Sequence, residues 1–266
     1  RAGVDARLVV FTKYTSDPAV MTVSTRLWRG VTFVLERLAI MFNNGFRREN
    51  LFKVSTATVG VDVSRNKFVR EADVVVLSWV NQGLITPRAI RKLSQMGKPI
   101  VWTMHDMWCM TGICHHSLGC LNFFDSCGNC PFLGSASRPD DLSHRCWEMK
   151  NNLFENVPIH FIAVSNWLLG QAKSSSLLRD KTVEVIPNAF PIESFTTSLS
   201  EDDPDFLRVD GKRFILMGAA RLDDPIKNLP DAIAALNLIF DEKPEVANNA
   251  EAIFFGDLRD QDALAD

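Results

Sequence analysis

The sequence predicts an α/β fold with two parallel-sheet domains, the first nearly complete and the second partial. Three observations carry this. Residues 72–79 (ADVVVLSW), 86–96 and 100–103 (IVWT) read as strand, helix and strand joined by very short links, the unit of a parallel sheet. After an acidic polar stretch (SLSEDDPD) a second set of such elements begins. The bulk numbers are those of an ordinary globular protein long enough for two domains: 266 residues, 46% hydrophobic, net charge −3. That charge gives no reason to expect nucleic acid as a partner. No apolar run approaches the roughly eighteen residues of a membrane-spanning helix.

The elements follow in order. Residues 1–5 read as the last turn of a helix stopped by Gly3, so an element is expected to be missing before it. Residues 6–11 read as a strand and 17–23 as a polar turn. Residues 24–42 read as a helix with a broad apolar face: Leu27, Val31, Val34, Leu35, Leu38, Met41 and Phe42, flanked by Arg26, Arg29 and Arg37. The expectation is a core-packed helix; the alternative is an amphipathic surface that touches anionic lipid. Residues 72–79 read as a strand covered on both faces. Pro87 opens the helix over 86–96. Beyond the cysteine-rich loop, 138–157 read as a polar helix and 160–164 as a strand. Ser165 reads as the N-cap of a helix over 166–178, and 182–186 as a strand ending at Pro187-Asn188. Residues 191–210 are the best linker, dividing a domain over 1–190 from another over 211–266. There, 213–217 read as a strand, 218–221 as its loop, 229–240 as a helix and 252–255 as a strand. Two strands and one helix cannot cover both faces of a parallel sheet, so this domain is expected to be incomplete.

Chemistry in open α/β folds sits at the C-terminal ends of strands. Residues 103–131 leave such an end and hold five of the six cysteines and three of the five histidines. Within the loop at 109–131, Cys114, Cys120, Cys127 and Cys130 are spaced C-x5-C-x6-C-x2-C. Zinc takes four soft ligands tetrahedrally, and a terminal C-x2-C is its usual half-site. A structural zinc is the expectation; two disulfides or four free thiols are the alternatives. Cys109 and Cys146 read as packing residues, and His115 or His116 as substitute ligands or plain polar residues. His105 at the strand end, oriented by Asp106, is a candidate general acid/base or donor to a bound hydroxyl, against a satisfied buried histidine. Arg221 and Lys227 bracket a turn into a helix, an arrangement suited to an anion, against a solvated basic pair. Asn188 reads as a turn residue. No G-x-G-x-x-G follows a strand, which weighs against nicotinamide chemistry.

Together these segments resemble family 4 glycosyltransferases of the GT-B fold, in the bacterial branch that builds surface polysaccharides. VEVIPNAFPIESF is similar to the family's interdomain signature, and GAARLDDPIKNL to the strand, loop and helix that open its nucleotide-sugar domain. FIAVSNWL is similar to the strand, serine and helix before that signature, and IVWTMHDMW to the strand carrying the histidine that faces donor sugar and acceptor. The cysteine loop resembles a subgroup with CH, GC and GCGNCP. The resemblance runs from about Gly3 to Gly256. It implies two Rossmann-like domains, an acceptor-side domain and the start of a nucleotide-sugar-binding one. It implies a retaining glycosyltransferase of polysaccharide biosynthesis, moving sugar from a UDP- or GDP-linked donor to a glycan or lipid-linked acceptor. His105 would be catalytic, and Arg221, Lys227, Asn188 and Gly218 would bind the donor. Cationic side chains would meet the leaving diphosphate, so no catalytic divalent metal and no redox cofactor are expected, and the zinc at Cys114, Cys120, Cys127 and Cys130 would be structural. The place implied is cytoplasmic, peripheral to the inner face of the plasma membrane. The family's opening strand and glycine-rich loop are expected upstream of Arg1 and its E-x7-E motif beyond Asp266, so the chain looks truncated at both ends. Asn228 stands where the family has glycine. The competing class is a non-catalytic, zinc-stabilised Rossmann-like binding module.

Overall fold

A computed structural model describes residues 3–48, 50–194 and 213–258. The chain divides into two compact units, Arg1–Ala189 and Phe190–Asp266. Most of the expected linker, residues 195–210, lies outside the described residues, as do Arg1 and Ala2.

The first unit opens with β1 (Leu8–Val10), paired in parallel with β2 (Val20–Thr22). The second of these corrects the reading of 17–23 as a turn throughout: only its start turns, with Asp17 accepting from the Ala19 amide at 2.8 Å. Three residues are too few to show a strand's period-two pattern. Helix α1 (Arg26–Asn43) follows, then the short α2 (Lys67–Glu71). The central sheet is parallel throughout, in the order β3 (Val75–Leu77), β4 (Ile100–Met104), β5 (Ile159–Ala163), β6 (Val183–Val185). Helices α3 (Pro87–Gln95), α4 (Leu142–Asn156) and α5 (Asn166–Ser174) make the crossovers. Each has a side-chain cap accepting from a first-turn amide: Thr86 from Ala89 at 3.2 Å, Asp141 from Ser143 at 2.8 Å, Ser165 from Leu168 at 3.2 Å. Trp102 of β4 and Phe161 of β5 centre the core, with Phe154 of α4 edge-on to both.

Two expectations about burial fail. Strand β3 pairs only with β4 among the described residues, and Val74 and Val76 are exposed, so this run is not covered on both faces. Helix α1 is turned the other way from the expected core packing. Its apolar face looks outward, with Leu27 80% and Phe42 64% exposed, while Thr32, Glu36, Arg37 and Ile40 are buried. Hydrogen bonds explain the inversion. Glu36, 0% exposed, accepts from the amides of Thr56 at 2.9 Å and Ala57 at 3.0 Å. Arg37 donates to the carbonyls of Leu51 and Val54 and to Glu36. A buried ion pair with such partners comes close to the condition under which charge can sit inside a fold; the Arg37 Nε–H alone of its groups finds no partner.

The second unit has β7 (Arg213–Arg221) parallel to β8 (Ala250–Asp257), with α6 (Leu229–Glu242) and the short α7 (Pro244–Asn249) between them in sequence. Strand β7 continues through the expected loop at 218–221, with a register irregularity between Gly218 and Arg221. Among the described residues, no helix is long and apolar enough to cross a membrane.

Candidate functional site

The parallel register aligns the strand ends: Met104 pairs with Ala163, and Ala163 with Val185. The residues that step off these strands therefore gather on one edge of the sheet, where side chains from different loops can meet. His105 leaves β4 there and is exposed. Its Nδ1 lies 3.3 Å from Ser78 Oγ, one residue beyond β3, and its Nε2 lies 3.1 Å from Asn188 Oδ1, just past β6. The Asn188 carbonyl oxygen only accepts, so the bond to it is donated by Nε2–H, while the Ser78 hydroxyl can serve Nδ1 in either direction. His105 is thus gripped at both nitrogens, with its ring open to solvent.

Beside it is a cavity of about 10 Å³ lined by Ser78, Trp79, Asn81, His105, Asp106 and Trp108, among others. Asn81 is 3% exposed, and its Oδ1 has no hydrogen-bond partner. A buried acceptor without a protein donor costs about 1–3 kcal/mol, and the cavity beside it is about the size of one water. Trp79 is half exposed at the rim, its ring centroid 6.0 Å from that of His115.

Asp106 does not orient His105. It bonds His115 instead, Oδ2 to Nδ1 at 2.6 Å, and His115 Nε2 reaches Ser55 Oγ at 3.0 Å. Burial pushes the Asp106 carboxyl up, but His115, the Trp108 amide and Lys150 together hold it below the usual carboxylate range. The Asp–His–Ser order is that of a nucleophile triad, yet Ser55 is 1% exposed, which denies its oxygen to a substrate. The chain is a brace. Trp108 closes it, donating Nε1–H to the Ser55 carbonyl at 2.7 Å and its amide to Asp106 at 2.9 Å. Lys150 of α4 adds the last tie, donating to the carbonyls of Trp108 at 2.6 Å and Thr111 at 2.9 Å.

The chain matches no protein-family model, no curated protein and no solved structure.

The four candidate zinc cysteines come together. Cys114, Cys120, Cys127 and Cys130 line one cavity of about 20 Å³, room for a single small sphere. All six cysteines are free thiols. Burial pushes Cys127 and Cys130 up to about 12. Cys127, Gly128 and Asn129 all take positive φ, and a Cβ on Gly128 would meet the Pro139 carbonyl oxygen at 2.3 Å. The Gly112 amide donates to Cys127 Sγ at 3.2 Å. Among the described residues, no group of three or more His, Cys, Asp or Glu side chains is arranged to hold a metal ion. The donor type suits zinc.

In the second unit Arg221 forms a fork with Asp223, Nε to Oδ1 and the terminal nitrogen to Oδ2, both at 3.2 Å. That carboxylate raises the affinity of the guanidinium for its proton. Lys227 is exposed, at the end of a 3-10 turn just before α6. Asn228 between them takes φ 54°, the left-handed conformation that glycine and asparagine tolerate best. Gly218 has a packing reason for its identity, since a Cβ there would lie 2.0 Å from the Phe255 ring.

The sequence reading missed Ser78, Asn81, Ser55 and Lys150. Ser78 was within reach, because the rule that selects His105, first residue beyond a strand, selects it too. Ser55 and Asn81 arrive through long-range packing that leaves no local pattern.

Proposed function

We propose that the protein transfers a sugar from a nucleotide-diphosphate donor to an acceptor hydroxyl, as a retaining glycosyltransferase of the GT-B type. The observation that carries this is the doubly held, solvent-facing His105 near the half-exposed Trp79. A polyol suits such a site: one of its hydroxyls takes the place of Ser78, the longer of the two partners, at His105 Nδ1, and its apolar ring face lies on an aromatic surface. His105 would position a hydroxyl and hold a proton at Nε2; Asn188 fixes its ring for that task.

The leaving diphosphate gathers negative charge as the bond to sugar breaks. Arg221, Lys227 and the positive end of the α6 dipole supply charge of the kind that meets it. Arg221 must share or exchange its Asp223 partner to do so. A zinc at the four thiols would be structural, fixing the loop behind His105, and no step of the transfer passes through it. The second reading, a non-catalytic zinc-stabilised binding module, draws on the convergence of those four thiols on one cavity.

The test is transfer from UDP- and GDP-sugars, with melting temperature followed in parallel. Arg221→Ala and Lys227→Ala are each expected to lower kcat/KM at least about a hundredfold, with folding unchanged. His105→Ala should lower it comparably while donor-induced thermal stabilisation persists. Normal turnover in the Arg221 and Lys227 variants would remove the diphosphate assignment. Absence of any stabilisation by nucleotide diphosphates would favour the binding module.

A further inference from the structure

We propose that the outward face of α1 and the loop after it form a docking surface for an anionic membrane, independent of the transferase reading. At about 100° per residue, Leu27, Trp28, Val31, Val34, Leu35, Leu38 and Phe42 form one stripe about 120° wide. All but the half-buried Val31 are exposed. The loop extends the stripe at Phe46, which is also exposed and packs edge-to-face with Phe42 at 5.2 Å. An apolar patch this continuous on a folded surface marks an interaction site.

The polar inward face means that α1 cannot hide this stripe by rolling over. Rotation would tear Glu36 from the Thr56 and Ala57 amides and expose the Glu36–Arg37 pair. The stripe is therefore fixed outward by buried hydrogen bonds.

Charge selects the occupant. Arg26 lies at one end of the stripe, and Arg47 and Arg48 at the other, all exposed. The only acid on α1 is Glu36, and its charge is spent inside the protein. Glu49, outside the described residues, is the only other acid in residues 24–53. An apolar stripe with cations at both ends and no exposed acid on the helix fits lipid acyl chains beneath anionic headgroups. The rest of the chain brings the net charge to −3, so the cationic ends are a local feature and not a consequence of a basic protein.

The experiment is sedimentation of the full chain with vesicles of phosphatidylcholine alone or mixed with phosphatidylglycerol. Binding is expected to the mixed vesicles and to weaken as salt is raised. Leu35→Asp with Phe42→Asp should reduce partitioning at least about tenfold with unchanged circular dichroism, because both side chains are exposed. Arg47→Gln with Arg48→Gln should reduce it roughly thirtyfold at low salt and far less at high salt. Equal sedimentation of parent and Leu35→Asp/Phe42→Asp chains, or none with either vesicle, overturns the proposal. So does concentration-dependent self-association abolished by the same pair, which would make the stripe a contact between copies.

Discussion

Helices α1 and α4 both bury charge, and they do it in opposite ways. In α4 the inward face is mostly apolar, with Leu142, Cys146, Leu153 and Phe154, and one cation, Lys150, sits among them. In α1 the inward face carries Glu36, Arg37 and Thr32, and the apolar residues point out. Lys150 bonds two carbonyl oxygens and lies over the Trp108 ring at 3.3 Å, with no carboxylate among its hydrogen-bond acceptors. Glu36 has a counter-ion and two backbone donors. A helix can thus be docked by its polar groups when these satisfy a loop's backbone, and its apolar face is then left for another task.

Removing the anion that docks α1 should have the largest effect. Glu36→Ala leaves Arg37 buried without its counter-ion and the Thr56 and Ala57 amides without an acceptor. The expected loss is about 3–5 kcal/mol, read from urea unfolding. A loss below about 1 kcal/mol would mean that polar docking does not hold α1.

Next comes a matched pair of leucines. Leu153 of α4 is 1% exposed and lies in the main core, so Leu153→Ala should cost about 2–5 kcal/mol through lost burial and the cavity left behind. Leu38 of α1 lies on the exposed stripe, and Leu38→Ala should stay within about 0.5 kcal/mol. Equal costs would show that the α1 stripe is covered in solution.

The same two helices mark what the sequence makes legible. The apolar pattern places α1 within two residues of its ends, while α4 starts at Leu142, after the Asp141 cap, and not at 138; the strand–helix–strand alternation gives the parallel sheet and, through it, the edge where His105 lies. Periodicity defines two faces but not which one is inward. For α1 that choice is made by backbone groups at Thr56 and Ala57, some twenty residues away in sequence, and composition carries no trace of them. Asp106 is a similar case. Its neighbour in sequence suggests a partner for His105, yet the fold gives it His115, because the Met107 amide donates to the His115 carbonyl at 2.9 Å and folds the loop back. Ser55 reaches this group through a bridge between Val54 and Cys114, a contact across sixty residues. The cysteine spacing identifies four residues that share a cavity but does not set how far their sulfurs stand apart.

The smallest expected effect is a pH dependence that separates a lone buried cation from a paired one. Burial lowers the Lys150 ammonium to about 8, below the 10.5 of a solvated lysine. Between those values the unfolded chain holds a proton that the folded chain has released, so this residue makes stability rise with pH there. Below about pH 8 both states are protonated and its contribution is level. The ceiling on the slope is about 1.4 kcal/mol per pH unit. The buried thiols act the other way. Cys127, Cys130 and Cys146 are raised to about 12, 12 and 11 from 9, so the unfolded chain loses their protons first and stability falls above about pH 9. The readout is therefore the difference in unfolding free energy, extrapolated from urea to water, between parent and Lys150→Met across pH 7 to 10. The parent should gain on the variant as pH rises through 8, since methionine keeps the volume and carries no proton. A difference independent of pH would show that Lys150 stays charged in the core, held by the two carbonyls and the Trp108 ring as firmly as Arg37 is held by Glu36.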